Sequence, residues 1–190
     1  MLALANLDAV IAIRTLIALV FLSAATAKMR NWPIFQGVVA NYRLLPQILV
    51  GPVTYALPPA EAAIGATLPT GLLAPWAEAA AALLLILFAV AMGINLMRGR
   101  RHIDCGCFQG TLKQTLRWTL VSRNALLALL LVAAAAAPSG RPGGWTVVNG
   151  LLAGGALFIV LQSLNALWAI IPAVRRQAPR QPAIEMEGTS

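Results

Sequence analysis

The segment Ile103-Asp104-Cys105-Gly106-Cys107-Phe108 holds the only two cysteines in 190 residues, separated by one glycine. Cysteines that close can join in a local disulfide, because residues two apart can bring their Cα atoms within the roughly 4.4–6.8 Å that the bond spans. Gly106 carries no Cβ to resist the tight turn. A ring that small is strained, and strained, exposed disulfides are the labile or catalytic ones. It is a poor staple, since the loop it closes is too short to restrict the unfolded chain. The spacing therefore points to a redox dithiol, weighed against two small apolar side chains in a loop.

Neighbouring residues bear on that chemistry. Asp104 disfavours a thiolate at Cys105. It is read as a proton acceptor during exchange, with a turn residue as the plainer alternative. His102 is the single histidine. Together with Asp104, Cys105 and Cys107 it could suggest a metal site, but zinc sites draw ligand pairs from two separated segments and the second pair is missing. No metal is expected. The order also excludes Cys-x-x-Cys-His haem attachment. Arg123 is read as a thiolate stabiliser, because a nearby cation lowers a thiol pKa.

Three ionisable side chains stand out inside apolar runs, where charge is costly enough to be a functional hypothesis by default. They are Arg14, Glu61 and Arg123, the last followed by Asn124. Opposite charges buried together cost less than either alone, so Glu61 is expected to bridge an arginine, Arg14 in preference to Arg123. The alternative is that such a pair only fixes helix register.

The elements that must position these groups are membrane helices. The chain is 59% hydrophobic and 11% charged, and several apolar runs exceed the length of about 18 residues that marks a transmembrane helix. The expected fold is an all-α integral membrane protein, a bundle of about five transmembrane helices over residues 1–174. The spans are placed at about 7–27, 49–73, 77–97, 119–137 and 145–171. The first is read as a retained helix rather than a signal peptide, since residues 1–10 carry no Lys or Arg and Arg14 interrupts the apolar region. Residues 28–48 form a polar connection, partly interfacial through Trp32, Phe35 and Tyr42. The second span is Pro-rich, with Pro52, Pro58, Pro59 and Pro69, and is expected to kink. Gly150 and Gly154 in the fifth form a small-xxx-small pattern that favours close packing. Residues 175–190 are polar and read as a disordered cytoplasmic tail.

The net charge of +8 raises the question of nucleic acid. The cations, however, flank the hydrophobic runs, where membrane topology puts them, and no basic stripe interleaves with aromatics. With five spans, Lys28, Arg30, Arg43, Arg98, Arg100, Arg101, Lys113, Arg117, Arg175, Arg176 and Arg180 share one side, and Arg141 alone lies opposite. By the positive-inside rule the C-terminus, and with it the cysteine loop, faces the cytoplasm of a cell whose inner membrane the chain crosses several times.

These residues carry a family resemblance. Asn95-Leu96-Met97-Arg98-Gly99-Arg100 followed by Ile103-Asp104-Cys105-Gly106-Cys107-Phe108 resembles the signature of the methylamine utilisation protein MauE family. Arg14, Phe21, Lys28, Tyr42 to Pro46, Leu57-Pro58, Glu61, Gly65 and Arg123-Asn124 resemble the wider MauE-like and DoxX-like membrane proteins. The likeness covers roughly residues 10–130, and Gln109 departs from the Phe-Gly expected next in the family. The resemblance implies a role in maturing the β (small) subunit of methylamine dehydrogenase, a disulfide-dense periplasmic quinoprotein, together with a thioredoxin-like, MauD-like partner.

Three functions are weighed. The leading one is a membrane thiol–disulfide oxidoreductase in which one cysteine attacks and the other resolves the mixed disulfide. With only two cysteines, the chain has no second pair for relay, so the far end is a thioredoxin-like protein or a quinone in the bilayer. The second is a non-enzymatic scaffold or export factor for the same subunit, with structural cysteines. The third is a small-solute or metal transporter using Glu61 and the intramembrane arginines.

Overall fold

The computed structural model describes residues 2–71, 73–100, 116–137 and 143–177, which form helices without a β-strand among them. In chain order the helices are α1 (Leu2–Arg30), α2 (Trp32–Tyr42), α3 (Gln47–Thr67), α4 (Trp76–Met97), α5 (Trp118–Ala135) and α6 (Gly144–Gln177), with a 3-10 turn at Leu68–Thr70 after α3. Four stretches are long and apolar enough to cross a bilayer: Leu7–Arg30, Trp76–Met97, Trp118–Ala135 and Gly144–Leu167. Of the five or so spans expected, four are of this kind; α3 has 21 residues but is diluted by Pro52, Pro58, Pro59 and Glu61 and falls outside the set. The three prolines sit within a continuous helix.

Helix α1 is the hub. Its Leu16, Ile17, Val20 and Phe21 pack with Ala81 and Leu85 of α4 and with Leu127 and Leu131 of α5 in the main core. Close approaches fix the direction of each neighbour. A Cβ on Gly150 would stand 2.6 Å from the Ile11 side chain, and one on Gly154 2.6 Å from Thr15 and from the Ala12 carbonyl oxygen. The small-xxx-small pair thus lets α6 lie against α1, running parallel to it. Helix α3 is antiparallel to α1: Glu61 meets Lys28, and Gly65 meets Ala18 and Phe21. Helix α4 is parallel to α1, since Glu78 meets Arg14 while Phe88 lies by Lys28. Helix α5 returns along α4, with Leu120 near Leu96 and Leu131 near Ala81.

Much of the outer surface is apolar. Leu83, Ile86, Leu87 and Val90 of α4, Leu126 and Leu129 of α5, and Leu152 and Ile159 of α6 are all exposed. In water so large a greasy surface would drive association. In a bilayer, lipid-facing apolar residues on helices with internally satisfied backbones are what the solvent requires.

Two sequence boundaries are corrected. Lys28 does not belong to a polar connection: α1 continues to Arg30, placing Lys28 and Arg30 in its last turn, where cations complement the helix dipole. The connection itself contains α2, whose Phe35 and Val38 are buried and whose Trp32 packs on Tyr55 of α3 with ring centroids 5.1 Å apart.

Candidate functional site

Lys28 is 2% exposed on the face of α1 that meets three other helices. A lone ammonium at that depth would be expensive. It donates from Nζ to Oε1 of Glu61, which is 1% exposed on α3. Its charge also lies over two aromatic faces, 5.2 Å from the centroid of Phe35 on α2 and 4.8 Å from that of Phe88 on α4. Both distances are within the roughly 6 Å reach of a cation–π contact. One turn beyond Glu61, Gly65 allows the approach: a Cβ there would sit 3.0 Å from Leu22 Cγ and 3.1 Å from the Ala18 carbonyl oxygen.

Lys28 and Glu61 share a crevice of about 20 Å³ with Phe88, Arg123 and Asn124, space for one water-sized molecule. Arg123 Nη2 donates to Asn124 Oδ1 at 3.3 Å, and its buried Nε has no partner among the described residues. On the other side of Lys28 a larger cavity, about 310 Å³, opens between α2, α3 and α4; Phe35, Val38, Tyr42, Leu57, Phe88 and Met92 form much of its wall.

Arg14 is elsewhere. The expectation that it bridges Glu61 is overturned, because it lies fourteen residues before Lys28, about 21 Å along the axis at about 1.5 Å per residue. Its Nε donates instead to Glu78 Oε1 at 2.6 Å. Glu78 is in the first turn of α4, where the helix dipole favours a carboxylate. Gly71 closes this end: it has φ +63°, and a Cβ on it would come within 3.2 Å of Arg14 Nη1, so a side chain would be strained and would crowd the guanidinium. Among the described residues the bundle thus has an ion pair toward each end.

Cys105, Cys107, Asp104 and His102 lie outside the described residues. The two ends of their connection are described. Met92 and Leu96 of α4 pack with Leu116 and Leu120, against Tyr42, Phe88 and Val121. Arg100 Nη1 donates to the Asn41 carbonyl at 3.4 Å, joining the end of α4 to the end of α2. The cysteine-bearing connection therefore leaves and re-enters the bundle at the end where Lys28 meets Glu61.

Sequence reasoning missed Lys28 and Glu78 as partners. The signal for Lys28 was its place one residue after an unbroken apolar run, where helix can simply continue. The signal for Glu78 was a carboxylate inside an otherwise apolar span, masked by the ordinary preference for acids in a first turn.

A bundle of long apolar helices closed on itself by buried ion pairs and coated with exposed aliphatic side chains defines a multi-pass integral membrane protein. More narrowly, the chain belongs to the methylamine utilisation protein MauE family, whose profile matches residues 6–137, the stretch that carries α1 through α5. It is 43% identical over 164 residues to the methylamine utilization protein MauE of Paracoccus denitrificans, covering 85% of this chain and 88% of that one. With the protein of the same name from Paracoccus versutus it shares 44% identity over 158 residues, 82% and 85% of the two chains. With that of Methylorubrum extorquens it shares 43% over 117 residues, 62% and 63%. No solved structure matches the chain.

Proposed function

We infer that this protein serves methylamine utilisation as a membrane thiol–disulfide protein that helps form the disulfides of the methylamine dehydrogenase β subunit, working with a thioredoxin-like partner. The observation that carries this reading is that a member of the MauE family holds its only two cysteines, one glycine apart, on a connection whose ends pack at the end of the bundle that holds the buried Lys28–Glu61 pair. In the exchange, a thiolate of the client or partner attacks the Cys105–Cys107 disulfide and forms a mixed disulfide. The second thiolate of the attacking pair resolves it. The client gains a disulfide, and Cys105 and Cys107 leave as two thiols, so bonds and electrons balance. Asp104 accepts a proton. Arg100 and Arg117 at the ends of the connection, with Arg123 one turn deeper, supply the positive field that favours thiolate.

The topology proposed with it has five crossings, α3 being the additional one. Its antiparallel course from Lys28 to the Arg14 end of α1 supports this, as does the satisfied ion pair that offsets its polar composition. The ends of α1, α4 and α6 and the start of α5 then share the cation-rich side, so the cysteine connection and the C-terminal tail face the cytoplasm.

The second reading, a scaffold or export factor with structural cysteines, is favoured by how much of the buried charge serves helix packing. Cys105→Ser and Cys107→Ser separate the two. The redox reading expects inactive dehydrogenase lacking β-subunit disulfides, at unchanged abundance of the membrane protein. Normal dehydrogenase in both variants would overturn it in favour of the scaffold.

A further inference from the structure

A dithiol that oxidises clients must itself be reoxidised, and a chain with two cysteines has no second pair to take the electrons. The cavity between α2, α3 and α4 supplies a place for an acceptor. Its volume of about 310 Å³ is at the small end of the roughly 300–1,000 Å³ typical of small-molecule sites. Its wall is almost wholly apolar, and among the described residues the single charged side chain on it is Lys28. An ammonium has three N–H donors. Glu61 takes one, and no other hydrogen bond from Lys28 is formed among the described residues. The site therefore combines an apolar pocket sized for a ring, two aromatic side chains, Phe35 and Phe88, on its wall, and a buried cationic donor. A flat, uncharged molecule with a carbonyl acceptor satisfies all three, whereas an anion would meet a cation already neutralised by Glu61.

The cavity's position narrows the choice further. One wall belongs to the membrane helix α4, whose exposed Leu87 lines the opening, so a ligand dissolved in lipid can reach it. Tyr42, Phe88 and Met92 of its wall pack in the same cluster as Leu96, Leu116 and Leu120, which hold the two ends of the cysteine connection. We propose that the α2–α3–α4 cavity binds the ring of a membrane-dissolved quinone, with Lys28 donating a hydrogen bond to one of its carbonyl oxygens. The quinone's role as acceptor rests on the redox reading of Cys105 and Cys107; its binding does not. As acceptor it takes two electrons and two protons from the two thiols and becomes quinol, while the thiols become a disulfide.

The test uses the full chain in phosphatidylcholine nanodiscs, a photoreactive azido-ubiquinone as label and ubiquinone-1 as competitor. Saturable labelling of peptides from α2, α3 or α4, displaced by ubiquinone-1 and unaffected by added phosphatidylglycerol, is expected. Ala91→Phe, on the cavity wall, should abolish it. The double variant Lys28→Met/Glu61→Leu removes the donor without stranding a charge and should weaken ubiquinone-1 binding about tenfold or more, as loss of a charge-assisted hydrogen bond does. Cys105→Ser/Cys107→Ser should bind as the unaltered chain does. Labelling that never saturates, maps elsewhere, survives both cavity variants or is displaced equally by phospholipid overturns the proposal and makes the cavity a lipid groove. Saturable labelling without quinol formation by the reduced protein upholds the site and removes the redox reading instead.

Discussion

Lys28 Nζ and Glu61 Oε1 meet where α1 and α3 cross, with both side chains almost completely removed from solvent. The contact ties the last turn of one helix to the middle of another and draws in Phe35 and Phe88, so four helices depend on it. Breaking a buried pair by removing one member leaves a stranded charge, at a cost of about 3–5 kcal/mol; replacing both members with apolar residues is close to neutral. Lys28→Met or Glu61→Leu alone should therefore sharply lower membrane abundance and unfolding midpoint in detergent. The double variant should recover most of the loss. Equal defects in all three would show that the pair is not what holds α3 to α1.

How far this pair could be read from the chain is instructive. Glu61 stands out because a carboxylate inside an apolar run needs a partner, and its burial within the bundle follows from that alone. Which cation answers it does not, because the choice depends on helix direction and register. Arg14 looked better by depth, yet the antiparallel course of α3 carries Glu61 to the opposite end of α1. The apolar runs fall on α1, α4, α5 and α6, since hydropathy is what sets a membrane helix. Helix α2 was harder, because eleven residues rich in aromatics read equally well as interfacial coil. The small-xxx-small pair in α6 was visible, but its partner, Ile11 to Thr15 of α1, could come only from the packing.

That packing gives a second expectation. Gly150→Leu and Gly154→Val would force side chains into contacts already at 2.6 Å with α1 for a single Cβ. Overpacking of this kind costs about 1–3 kcal/mol or separates the helices. Both should increase proteolysis at the ends of α6 and lower the unfolding midpoint. Gly155→Ala, which meets open space, should be neutral or slightly stabilising through helix propensity.

Arg14 and Glu78 should behave as a structural pair remote from the redox chemistry. Arg14 is partly exposed, with 20% side-chain accessibility, against 3% for Glu78. Losing a hydrogen bond between charged groups costs about 1.5–3 kcal/mol, less than breaking the fully buried pair. Arg14→Gln should lower the unfolding midpoint less than Lys28→Met does. Dehydrogenase activity per folded membrane protein should stay unchanged, and a selective loss of activity would place Arg14 in the mechanism.

The orientation of the bundle can be tested apart from its chemistry. The proposed topology, with cations at the ends of α1 and α4 and at the start of α5 facing inward, has the cysteine connection on the cytoplasmic side. A membrane-impermeant maleimide should then leave Cys105 and Cys107 unlabelled in intact cells and label them once the inner membrane is permeabilised. Labelling in intact cells would place the connection outside. It would also mean that the whole bundle is inverted, since α1 and α4 run parallel and the ends of the cysteine connection lie at the Lys28 end of the bundle.

The cysteines themselves give the sharpest outcome. If Cys105 and Cys107 exchange with a client or thioredoxin-like partner, the exchange also runs in reverse: one thiolate of this chain attacks the partner's disulfide, and the second cysteine releases the mixed disulfide as it closes the Cys105–Cys107 bond. Replacing the releasing cysteine by serine blocks resolution and should trap a covalent complex, visible as a larger, reductant-sensitive band on non-reducing gels. Replacing the attacking cysteine should give no such band. Both variants should stop β-subunit maturation, because either half of the pair alone cannot complete a two-electron exchange. Asp104→Asn separates proton transfer from redox capacity: it should slow exchange without preventing the trapped complex. If neither cysteine variant traps a partner and both mature the dehydrogenase normally, the cysteines are structural, and the bundle acts on its client through contact alone.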